Sequence, residues 1–322
     1  MTQGGGVAPR RTHNPEIAGS SPAPATTDEP YTPPAWEDEA GNLKPGIYPG
    51  VDFDTYARWR AANHSILKHF AATAAHAHWS ELHQDDSTSS QNLGHMIHTA
   101  LLEPERWKAE GALVAPKIDR RTKIGKAEWA MFEKRAAGRP LVTEEDAATI
   151  GGILHMSARH ASVKEALYGA GLNELSIIWK DQATGVLCKA RIDRLTQIGA
   201  RPFIVDLKTT HKVASTHGWQ QQVQTYSLHE QAAHYRAGLA TLMPLAGELE
   251  RGFAWVVCET EPPWLVRMFE AEDACLELGK EQVDGYLKRY AQCKATGVWP
   301  GWPEGMEIAG LPPWVYKRFN VE

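Results

Sequence analysis

The stretch from Val186 to Thr210, VLCKARIDRLTQIGARPFIVDLKTT, constrains this chain more than any other. It reads as two β-strands joined by a short polar turn, because apolar and β-branched residues cluster on both sides of TQIGAR. Each strand carries one carboxylate in an otherwise apolar or basic run, Asp193 on the first and Asp206 on the second. Lys208 lies two residues beyond Asp206, so those side chains share a face while Leu207 points to the other. If the strands pair as a hairpin, Asp193 sits close to that face. Carboxylates hold hard divalent cations, and a neighbouring lysine can orient or activate water; metal-dependent phosphodiester hydrolysis needs both. An ordinary salt bridge on a surface strand pair fits D-x-K equally well, since so short a motif recurs by chance.

A length of 322 residues allows one large domain or two small ones, and a 43% hydrophobic fraction supplies a core. The net charge of -5 excludes a wholly basic nucleic-acid coat but permits a local basic patch. Cys188, Cys258, Cys275 and Cys293 form no C-x-x-C pair, which speaks against a zinc site or a disulfide framework. No apolar run reaches the ~18 residues of a membrane span. The start, MTQGGGVAPRRTH, lacks the apolar centre of a signal peptide. A cytoplasmic protein with reduced thiols and no membrane partner is expected. Residues 1–45, rich in Gly, Pro, Thr and Ala, are expected to form a disordered tail ahead of a single domain over 46–322.

Along that domain, residues 53–82 read as one or two helices and 91–102 as an apolar helix stopped at Pro104. His95 and His98 lie three apart on the latter and are surface neighbours. The segment 115–139 is locally basic, and DRRTKIGK reads as a loop entering a helix. Arg120, Arg121, Lys123 and Lys126 there suit phosphate contacts, or simply a solvated charged loop. Residues 143–170 read as a helix, and strands are expected over 174–180, 186–195 and 202–209. A helix over 217–239 follows, then strands over 251–259 and 264–271 and a helix over 272–296. On the 217–239 helix, Gln231 and Tyr235 share a face, as do Gln222 and Tyr226. The order, a helix, three antiparallel strands, a helix and a strand, predicts an α/β sandwich and not a βαβ repeat. No phosphate-cradling glycine loop of the nucleotide-binding type occurs where such a fold would need it.

Together, GHMIH followed by LLEP, PKIDRRTKIGKAEW, ARIDRL, VDLKTT and QAAHY resemble the PD-(D/E)xK nuclease superfamily, which implies an α/β fold with a restriction-endonuclease-like core, a mixed central sheet flanked by helices. Within it they are similar to the RecE-like (exodeoxyribonuclease VIII) branch of phages and prophages. The resemblance covers most of residues 45–320 and implies metal ligands at His98, Asp193 and Asp206. It adds the Leu207 carbonyl as a backbone ligand and places Glu174 as a further candidate of lower rank. It implies Lys208 as the catalytic lysine and Gln231 and Tyr235 as the Q-x-x-x-Y pair. Arg120, Arg121, Lys123 and Lys126 become candidate DNA contacts. The implied cofactor is Mg²⁺, with Mn²⁺ able to substitute. No iron–sulfur cluster is expected, since Cys188 lies inside the hairpin and no tight C-terminal cysteine group exists. The implied activity is 5′→3′ degradation of linear double-stranded DNA, leaving 3′ single strands for an annealing protein. A homo-oligomer is expected by analogy. Two other readings stay open: a different RecB-type nuclease, and a catalytically inactive DNA-binding phage accessory protein.

Overall fold

β-Branched and aromatic runs build the central sheet, and continuous burial marks its middle. The computed structural model describes residues 35–38, 40–83, 89–245 and 251–318. In chain order the elements are β1 (Gly46–Tyr48), α1 (Phe53–Arg58), α2 (His64–Leu67), α3 (Ala74–Leu82), α4 (Ser89–Leu102) and α5 (Pro104–Glu110). Then come β2 (Leu113–Val114), α6 (Lys123–Ala136), β3 (Leu141–Val142), α7 (Glu144–Arg159) and α8 (Ala161–Tyr168). The long strands follow: β4 (Gly171–Lys180), β5 (Leu187–Ile198) and β6 (Arg201–Thr210). After α9 (Thr216–Thr225) and α10 (Leu228–Leu242) come β7 (Gly252–Glu259), β8 (Val266–Glu270), α11 (Asp273–Thr296) and α12 (Pro313–Arg318).

The main sheet has the order β1-β4-β5-β6-β7-β8; a small parallel pair, β2-β3, stands apart. All neighbours in the main sheet are antiparallel except β6 and β7. That parallel pair needs a long crossover, which α9 and α10 supply. β5 turns into β6 through Gly199 and Ala200 alone, with Gly199 at φ +58°, the left-handed conformation a tight hairpin favours. The strands therefore run further into the expected TQIGAR turn than the pattern predicts.

Side-chain alternation divides the core. Phe203, Val205 and Leu207 of β6 pack with Ala254, Val256 and Cys258 of β7 against Ile97, Leu101, Ile150, Ile153 and Leu167 of α4, α7 and α8. Ile204, Phe253, Trp255 and Val257 face the opposite layer with Trp219, Leu228, Leu239, Val283 and Leu287. Helices thus cover both faces of a mixed sheet. α10 and α11 cross closely because Gly279 has no Cβ; one built there would lie 2.4 Å from the His229 carbonyl oxygen.

Several helices are broken where the sequence pattern runs on. Residues 53–82 form α1, α2, a 3₁₀ turn and α3 in place of one or two helices. The expected 143–170 helix breaks at His160, which ends α7 and caps α8. The expected 217–239 helix breaks at Ser227, whose φ of +54° cannot continue a right-handed helix. β1 and the β2-β3 pair carry too few residues to show a period. Within the expected N-terminal tail, residues 1–34 lie outside the described residues, while Trp36 and Leu43 pack against the cluster of Val51, Tyr56, Trp59 and Ile178. No helix among the described residues is long and apolar enough to cross a membrane.

Candidate metal centre and active site

The pairing of β5 with β6 stops at Arg194↔Val205. Beyond that point the strands separate, and side chains take over the backbone groups of β6. The Asp193 carboxylate accepts from the Leu207 N–H at 2.7 Å. His98 Nε2 lies 2.8 Å from the Leu207 carbonyl oxygen. A carbonyl can only accept, so Nε2 carries the proton and Nδ1 keeps its lone pair. Nδ1 lies 3.6 Å from Asp193 Oδ2. α4 holds His98 in place by burying its neighbours Ile97 and Leu101 against the sheet.

The β4-β5 ladder is interrupted at the same level, between Asn173↔Arg194 and Leu175↔Ile192. Glu174 sits in that gap with φ +51°, a left-handed conformation rare for a non-glycine residue and common at functional sites. Its carboxylate accepts from Arg191 Nε at 2.6 Å. One ligand atom each from His98, Glu174 and Asp193 lies within 4.8 Å of the others. Glu174, which the sequence ranks below the other candidates, therefore joins His98 and Asp193 in the tightest group of potential ligands. Asp206, expected as a ligand, lies outside that group.

Asp206 is 2% exposed and forms an ion pair with Lys208. Gln231 Nε2 donates to Asp206 Oδ1 at 3.2 Å and lies 3.1 Å from the Tyr235 hydroxyl. Lys208 and Asp206 thus share one face of β6, met by α10, while the Leu207 carbonyl meets α4. The second pair of the same spacing lies elsewhere: Gln222 accepts from Thr210 Oγ1 at 3.0 Å, and Tyr226 is exposed.

Electrostatics follow from this crowding. Burial and the nearby Asp206 charge push Asp193 up to about 7, against the opposing pull of Lys208. Burial and Asp193 raise Glu174, with Arg191 opposing. Burial and Lys208 hold His98 below the usual histidine range. Burial raises the Tyr235 phenol well above its ordinary value, so that hydroxyl stays protonated. Two carboxylates made uncomfortable by each other and one neutral imidazole suit a divalent cation, whose charge offsets their repulsion. The donor set, one nitrogen and hard oxygens, fits Mn²⁺ or Mg²⁺.

The basic stretch makes local contacts. Arg120 stacks over Trp129 at 4.3 Å, Arg121 pairs with Asp119 at 3.0 Å, and Lys123 opens α6 behind the Thr122 cap. Lys126 is exposed on α6. Among the described residues, the ion pairs and ring contacts of this stretch are made within it or, for Lys117, with Glu144. Arg191 is a further member of the candidate site, bonded to Glu174. Its position, two residues before Asp193 on a strand, is the pattern that puts it on the same side as that acid.

The sequence matches, over residues 63–311, a family described as a PDDEXK-like domain of unknown function (DUF3799). The chain belongs to this PDDEXK-like family. Its fold is correspondingly that of the PD-(D/E)xK nucleases. A crystal structure described as a "putative exonuclease" from Eubacterium rectale resembles this chain with a TM-score of 0.53 and 13% identity, covering 83% of this chain and 97% of its own. The structure of SSO0001 aligns with a TM-score of 0.24 and 14% identity over 60% of this chain and 86% of its own, too little for argument. Among curated proteins, none matches this member of the PDDEXK-like family.

Proposed function

We propose that this chain is a divalent-metal-dependent deoxyribonuclease of the RecE-like type, an exonuclease acting 5′→3′ on linear double-stranded DNA. The observation that carries the reading is the convergence of His98, Glu174 and Asp193 beside the Asp206–Lys208 pair, where two strands part. The likeness to a protein described as an exonuclease agrees with it.

His98 Nδ1, Glu174 and Asp193 would hold the cation, while the Leu207 carbonyl accepts from His98 Nε2 and fixes that ring. Mg²⁺ or Mn²⁺, when bound, acidifies water and stabilises charge on a phosphate. The Lys208 ammonium holds the attacking water or the developing negative charge. Asp206 pairs with that ammonium and aims it. Gln231 fixes the Asp206 carboxylate, and Tyr235 stands beside Gln231. Arg120, Arg121, Lys123 and Lys126 supply phosphate contacts on the incoming duplex. The products are 3′ single strands offered to an annealing protein, and the working form is a cytoplasmic homo-oligomer.

Linear duplex labelled at one 5′ end, with closed circular DNA as control, tests this reading. Mg²⁺-dependent loss of the 5′ label from linear DNA alone, stopped by EDTA, is expected. Cleavage of the closed circle at a similar rate would rule out an exonuclease.

A further inference from the structure

At the rim of the cluster stands an aromatic pair that the proposed chemistry does not use. Phe53 opens α1 and is 55% exposed, while the aromatic rings that follow it, Tyr56 and Trp59, are buried. Its ring centroid lies 6.3 Å from that of His95, tilted by 54°. His95 is exposed on α4, one turn before His98. An exposed phenylalanine alone signifies little. This one is fixed to the cluster by two independent routes. Through α4, its neighbour His95 is rigidly joined to His98. Through the chain, Arg191 Nη1 donates to the Val51 carbonyl at 2.6 Å while Arg191 Nε holds Glu174 at 2.6 Å. One guanidinium therefore ties both a candidate ligand and the backbone just before Phe53.

We propose that Phe53 and His95 form a stacking step for the nucleobase next to the phosphate under attack. The inference rests on the nuclease reading and names its substrate more closely: a DNA end whose last base is unpaired and splayed from the duplex. Charge decides between base and backbone here. Asp52 and Asp54 flank Phe53 and are exposed, so a phosphate is repelled while an uncharged ring is not. Stacking accepts every base, because each presents a π-face. The step grips a strand end without choosing its sequence.

The test uses linear duplex carrying 2-aminopurine at its terminal position, bound with Mg²⁺ to the full-length Lys208→Ala protein so that cleavage does not intrude. Binding is expected to quench the fluorophore. Adding Phe53→Ala removes the quench and weakens affinity about tenfold, the scale of one stacked base. Phe53→Trp restores both. With an abasic terminal nucleotide, the proteins with and without the Phe53→Ala change bind alike. Equal quenching and affinity with and without the ring would overturn the stacking step. So would a loss of affinity that is the same for normal and abasic ends, since Phe53 would then act through the fold alone. Wild-type cleavage of linear DNA, run in parallel, separates the two readings: cleavage without a Phe53 effect sinks only the step, and absence of both binding and cleavage sinks the nuclease reading with it.

Discussion

Asp206 and Glu174 divide labour in a way their spacing does not reveal. Asp206 spends its carboxylate on Lys208 and Gln231, whereas Glu174 points with His98 and Asp193 toward a common point. Replacing Asp206 by Ala is expected to lower Mg²⁺-dependent cleavage by at least ~10²-fold while circular dichroism stays that of the native fold. Glu174→Gln is expected to weaken Mn²⁺ binding by roughly 10-fold or more in calorimetry, and the same substitution at a non-ligand would leave it unchanged. Asp193, Asp206 and Lys208 were legible because D-x-K sits on a strand in a recognisable order of motifs. Glu174 was legible only as a weak candidate, since nothing in the letters NELSI tells of a left-handed residue in a strand. Arg191 was legible only as a strand-face neighbour of Asp193, since its bonds to Glu174 on the next strand and to distant Val51 leave no trace in spacing. His234, which precedes Tyr235 on α10 and packs against Trp179, is 1% exposed, and burial pulls it down to about 3 from an ordinary 6.5. Below about pH 6.5 the unfolded chain takes up a proton that the folded protein refuses, so stability falls as pH drops toward about 3. The slope approaches ~1.4 kcal/mol per pH unit, and His64, lowered by burial too, acts in the same direction. Urea unfolding at pH 6.5 and pH 4.5 is expected to show a loss near ~2 kcal/mol greater for wild type than for His234→Gln.

At the level of elements, the helices that frame the site are broken where the pattern suggested continuity. Apolar spacing persists across His160 and Ser227, so periodicity alone joins α7 to α8 and α9 to α10. What breaks them is local: a capping side chain in one case and a left-handed residue in the other. Ser227→Gly is expected to be neutral or stabilising by up to ~1 kcal/mol, since glycine adopts that conformation freely. Gly279 presents the reverse case. The atom a side chain there would meet is the His229 backbone, which cannot swing aside. Gly279→Val is expected to destabilise by roughly 1–3 kcal/mol by forcing α10 from α11. Because α10 carries Gln231, that variant also displaces the group holding Asp206. The sheet itself was legible: each long strand lies within a few residues of its apolar run. The short strands were not, since β1, β2 and β3 hold three residues or fewer.

Across the whole molecule, the candidate metal cluster joins α4 to the β4-β5 pair, which lies far from it in sequence. A ligand that binds only the folded state stabilises it by mass action, about 2.7 kcal/mol at a hundredfold excess over Kd. Thermal unfolding with millimolar Mn²⁺ is therefore expected to rise by several degrees over EDTA, and Glu174→Gln to abolish most of that rise. The crossover described above has a further consequence, which concerns timing. β6 gains its parallel partner only when β7 is made, after α9 and α10. A nascent chain that has not reached Gly252 already carries His98, Glu174, Asp193, Asp206, Lys208 and Gln231, yet its β6 has no neighbour on one side and a parting neighbour on the other. Non-local pairing of this kind closes late. A newly synthesised chain is thus expected to carry every proposed ligand before β7 fixes β6 in place.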